Sequence, residues 1–160
     1  MAKPRIFKSR KKPVKDSILL RIRKDQELDL QLVPHGHLHA MAEGRGDVSA
    51  FDTIVFRTLV GASLARLADD VGMRTMEAEV FMPALGSLIS VGERYQRLGK
   101  FGLNGDELKS LKQALNLTDD LQAVSTRRQQ LEMYQKVQNY VGGLEFTLQK
   151  LRHLVGKEGQ

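Results

Sequence analysis

A chain of 160 residues with net charge +6, 41% hydrophobic and 28% charged residues has the size and composition of one globular domain with a real core. The absence of cysteine excludes disulfides, cysteine zinc sites and thiol nucleophiles, and fits a reducing cytoplasm. No apolar run reads as the ~20 residues needed to cross a bilayer, so no transmembrane helix is expected. The basic start lacks the apolar stretch of a signal peptide.

The charge is concentrated at one end. Residues 1 to 24 hold ten Lys or Arg against Asp16 alone, whereas from residue 25 onward 15 bases face 18 acids. Residues 1–16 therefore read as a disordered basic arm, because so dense a block of like charge cannot offset its ordering entropy by burying apolar surface. Residues 17–160 read as a single helical domain. Within it, Ile18, Leu20 and Ile22 alternate, as do Leu28, Leu30 and Leu32. That period of two predicts a small β-hairpin over 18–33, with a short amphipathic helix at either segment as the alternative.

Helices follow from Pro34 onward. Pro34 suits a first helical position and Gly44 an end, giving a helix over 34–43. Ser49 or Asp52 is placed to cap a helix over 50–71, whose broad apolar face, from Phe51 to Ala68, marks it as central. A helix over 76–98 is expected to kink or divide at Pro83. Asn104 and Glu107 have the spacing of a capping box and open a helix over 105–141, with a bend expected near Asn116 to Asp119. Gly142-Gly143 forms a stop before a last helix over 144–155. The fold class is mainly α: a helical bundle with a basic arm and a small hairpin at its edge.

The arm is the first functional candidate. Lys3, Arg5, Lys8, Arg10, Lys11, Lys12 and Lys15 carry seven positive charges with no acid between them. On a flexible chain such charges neutralise phosphates and release counterions without a defined fold. Arg21, Arg23 and Lys24 extend the positive surface. An acidic protein surface is the other partner of matching chemistry, and a solubilising tail is the plain alternative. The absence of tryptophan and an aromatic content of 6% weigh against a base-stacking platform for single strands.

His35, His39 and Glu43 fall one turn apart on a helix, a row with the chemistry of zinc ligands. An exposed polar helix face is the alternative, and no Cys or second His cluster completes a site. Gly44-Arg-Gly-Asp47 lacks the ending of a phosphate-binding loop, and Ser63, Ser87 and Ser90 lack a nucleophile-elbow context. Adjacent Asp69-Asp70 and Asp119-Asp120 read as solvated acids. No catalytic residue, metal or cofactor is assigned. Leu131, Tyr134, Val137, Val141, Leu144, Leu148, Leu151 and Val155 follow near-heptad spacing. They form a homodimer seam if the helix continues through Gly142-Gly143, and an intramolecular face if it breaks there.

Three stretches, Pro34-His-Gly-His-Leu-His-Ala-Met-Ala-Glu-Gly-Arg-Gly-Asp47, the apolar helix from Phe51 to Leu67, and Gly105-Asp-Glu-Leu-Lys-Ser-Leu-Lys-Gln-Ala-Leu115 with Asp119-Asp120-Leu-Gln122, resemble a loose group of small helical proteins carried by bacterial phages, plasmids and integrated elements. The resemblance spans roughly residues 30 to 135. It implies a bacterial cytoplasmic accessory protein and brings no catalytic or binding residues with it. The expectation is a non-enzymatic nucleic-acid-binding accessory or regulatory protein, contacting double-stranded DNA through its arm. The alternative is a protein-binding adaptor or inhibitor that uses the bundle surface, with the arm secondary.

Overall fold

The computed structural model describes residues 24–68 and 77–158, and among these it is a helical bundle without strands. The helices are α1 (Lys24–Ala42), α2 (Val48–Ala68), α3 (Met82–Leu98), α4 (Gly105–Val124), α5 (Arg127–Val137) and α6 (Leu144–Glu158). A π-helical turn, Glu77–Phe81, leads into α3, and a 3-10 turn, Gln138–Tyr140, follows α5.

α2 is the axis of the fold. It contacts all five other helices, α4 most extensively. Phe51, Ile54, Val55, Val60 and Ala65 are fully buried, and even Arg57 and Thr58 are closed off from water. A helix apolar nearly all round is stable only when surrounded, and each large side chain so buried contributes roughly 1.5–3 kcal/mol. This corrects the membrane reading. Val48–Leu67 is long and apolar enough to span a bilayer, with a mean hydropathy of 1.4, but 67% of it is buried inside the bundle. Leu67, expected on the core face, is 41% exposed.

The second half of the expected hairpin is absent, because residues 28–33 belong to α1; its first half lies outside the described residues. Pro34 is likewise not a first helical position but sits inside α1. Good helix formers such as Gln26, Glu27, Leu28 and Gln31 extend the helix backwards, and packing on α2 and α4 outweighs the one backbone hydrogen bond that Pro34 removes. α1 ends at Gly44, whose φ of 73° lets Arg45 N–H reach Ala40 C=O at 2.8 Å in a Schellman closure. The cap of α2 is neither Ser49 nor Asp52. Asp47 Oδ1 accepts from Ala50 N–H at 2.7 Å.

Pro83 lies in the first turn of α3, where the π-helical turn Glu77–Phe81 passes directly into the α-helix with Phe81 in helical conformation. The helix expected over 105–141 is broken, at Ser125-Thr126 rather than near Asn116 to Asp119. Thr126 and Gln129 form a second capping box that starts α5. The chain stops again at Gly142-Gly143, where Gly143 has φ 98°. A continuous C-terminal seam is therefore not formed. Val137, Leu148 and Leu151 go into the core instead, and α6 folds back on α3 with Leu148 seated against Gly92.

Candidate functional site

The arm residues Lys3, Arg5, Lys8, Arg10, Lys11, Lys12 and Lys15, together with Arg21 and Arg23, lie outside the described residues. Lys24 is the first described residue of α1. α1 is anchored to the body of the bundle.

The anchor is a charged cluster between α1, α2 and α4. Asp119 of α4 accepts Arg57 Nη2–H at 2.6 Å on one oxygen and His35 Nε2–H at 2.8 Å on the other. An ionised carboxylate only accepts, so this contact requires His35 to donate through Nε2. Arg57 is 4% exposed, and its Nε has no hydrogen-bond partner among the described residues. One turn along α4, buried Gln122 donates to Tyr134 hydroxyl at 3.0 Å, while Gln130 Nε2–H donates to the Gln122 C=O at 2.9 Å. Gln122 Oε1 is another buried atom without a hydrogen-bond partner among the described residues. Asp119, read from sequence as a solvated acid, is thus a buried-side acceptor, whereas Asp120 is exposed. Its register explains this: Asp119 follows Thr118 and Leu115 on the face of α4 turned to α2.

The cluster also takes His35 away from the expected metal row. His39 Nε2 lies 3.2 Å from Glu43 Oε1, and Glu43 in turn bonds Arg45. The hydrogen bond from Arg45, with its charge and that of His39, holds the Glu43 carboxyl below its ordinary value. His35, His39 and Glu43 do not converge, and no group of three potential metal ligands occurs among the described residues.

Two further polar groups join helices across the bundle. Asp52 accepts Gly143 N–H at 3.1 Å and Thr147 O–H at 3.0 Å, capping α6 from α2. This complements the positive end of the α6 dipole. Glu107 closes the α4 capping box on Asn104 N–H at 2.9 Å and also takes two bonds from Arg94, at 2.8 and 3.0 Å. Burial pushes the Glu107 carboxyl up, but the bonds from Arg94 and the Asn104 N–H outweigh it and hold the group below its ordinary value. The same pairing raises Arg94 above its ordinary value, against the desolvation that burial imposes. Asp52, Glu107, Arg57 and Asp119 are thus each spent on joining one helix to another.

No protein-family model, curated protein or solved structure matches the chain.

Proposed function

We propose that this protein is a non-enzymatic nucleic-acid-binding accessory protein, in which the basic arm contacts the phosphates of double-stranded DNA and the helical bundle serves as its platform. The observation that carries the reading is the charge asymmetry: ten bases against one acid in residues 1–24, attached to a body with 15 bases against 18 acids. Phosphate contacts of this kind supply affinity with little sequence readout. The clamp of His35 and Arg57 on Asp119 supports the platform role, since it fixes α1 to the body of the bundle. The resemblance to proteins of bacterial mobile elements supports an accessory role in the cytoplasm.

A second reading, a protein-binding adaptor, is favoured by apolar side chains left on the surface. Leu32 and Val33 of α1 are 62% and 46% exposed, and Val124 at the end of α4 is 83% exposed. Deleting residues 1–15 separates the two. Under the first reading, binding to labelled duplex DNA at low salt collapses while the helical circular dichroism signal persists. Retention of full DNA affinity by the shortened chain would remove the arm from the account.

A further inference from the structure

Ser125 and Thr126 alone separate α4 from α5, and both are extended, with φ of −85° and −75°. Neither residue, nor any other from 116 to 137, is Gly or Pro. The stop at Gly142-Gly143 differs in kind, because Gly143 has φ 98°, a conformation that favours glycine. At Ser125-Thr126 the turn is held by side-chain bonds instead. Thr126 Oγ1 accepts Gln129 N–H at 3.3 Å, Gln129 Oε1 accepts Thr126 N–H at 2.9 Å, and Ser125 Oγ–H donates to Gln122 C=O at 3.0 Å. Beyond the turn, α5 packs on α2 and α6 on α3. Val124, beside the break, is 83% exposed, and Leu131 is 38% exposed. With half-buried Leu117 they stand seven residues apart, so a continuous helix would set all three in one stripe, as at a seam position of a coiled coil.

We propose that Ser125-Thr126 is a hinge at which α4 and α5 join into one helix, and that two copies of this chain thereby exchange α5 and α6. The joined helix, over residues 105–137, is roughly 50 Å long. Each copy's α5 then packs on α2 of the other copy, and each α6 on the other's α3, so the contacts of the separate chain are rebuilt between chains. The bonds of Gln122 with Tyr134 and Gln130 cross from α4 to α5, and they too re-form between copies. The exchange gives up the hydroxyl and amide caps at the turn and gains backbone bonds across the hinge. Leu117, Val124 and Leu131 of the two copies meet between the joined helices. Separate and exchanged forms thus share one core and differ only at the hinge and this stripe, so protein concentration selects between them. A second copy is the partner that fits, because only a copy brings the same stripe and an α5–α6 pair shaped for α2 and α3. The exchange does not depend on what the arm binds.

The test measures the molar mass of the full chain by light scattering at concentrations up to about 1 mM, with circular dichroism as the check on folding. A dimer that grows with concentration is expected. Ser125→Ala combined with Thr126→Ala removes the cap oxygens and favours the continuous helix, and should tighten dimerisation about tenfold. Arg127→Pro preserves α5, since proline suits a first helical position, but has no place inside a joined helix. That chain should be monomeric at every concentration with native helix content. Val124→Glu, an exposed change, should leave the monomer folded and weaken the dimer. A native chain that stays monomeric throughout, or a dimer that persists in folded Arg127→Pro, would overturn the proposal. If Arg127→Pro does not fold, the double alanine chain decides: dimerisation no tighter than native overturns it.

Discussion

At Gly61, α2 passes so close to its neighbours that a Cβ would collide with Thr118 Oγ1 and lie 2.7 Å from Phe81 Cζ. Both neighbours are fully buried and cannot swing aside. Gly86, in the middle of α3, has nothing within 4 Å of the same position. The two glycines therefore separate helix propensity from packing. Gly86→Ala should stabilise the protein by about 0.5–1 kcal/mol, and Gly61→Ala should destabilise it by about 1–3 kcal/mol despite the same gain in propensity. Urea unfolding followed by circular dichroism reads both, and equal effects at the two sites would contradict the packing described. The Arg57–Asp119 pair makes a sharper case. Asp119→Ala strands a buried guanidinium and should cost about 3 kcal/mol, whereas Arg57→Met combined with Asp119→Leu should recover most of that loss. A double variant no more stable than the single one would show that the cost lies elsewhere.

Among the elements, α4 starts at a capping box whose glutamate also holds Arg94, and this couples its stability to pH. A carboxyl held below its unfolded value contributes stability that is present above that value, about pH 4.3, and lost as pH falls through the folded value. Glu107→Gln should therefore lower stability at neutral pH and flatten the decline on acidification between about pH 5 and 3. Denaturant midpoints measured across that range check it; parallel curves for the two proteins would contradict the assignment. The Asn104–Glu107 box was legible in the sequence because its signal is local. The Thr126-Arg-Arg-Gln129 box was equally local, and it was masked by the apolar periodicity that continues through it. Period-two alternation in residues 28–33 was misleading because a run of six is too short to distinguish strand from helix, and packing against α2 and α4 decided the matter. The partners of Asp52, His35 and Asp119 were not legible at all. Each meets a residue more than 60 positions away in the sequence, Gly143, Asp119 and Arg57 or His35 respectively, and no spacing rule reaches that far.

For the whole molecule, helix class and the central place of α2 follow from a broad apolar face that can be buried only by surrounding it. Three charged groups join helices of the bundle: His35–Asp119–Arg57, Arg94–Glu107 and Arg152–Glu93. The densest charge in the chain lies in residues 1–24, where nine bases precede the first described helix. The proposed function follows this division: a folded platform and a polycationic arm proposed to bind phosphate. The most direct test is the salt dependence of duplex DNA binding, comparing the native chain with one carrying Gln at Lys8, Arg10, Lys11 and Lys12. If about six phosphates are engaged, the logarithm of the binding constant should fall against the logarithm of salt with a slope near −5, and the substituted chain should show a slope shallower by about 3 to 4. Identical affinity and slope for the two chains, or no binding even at low salt, would contradict the account.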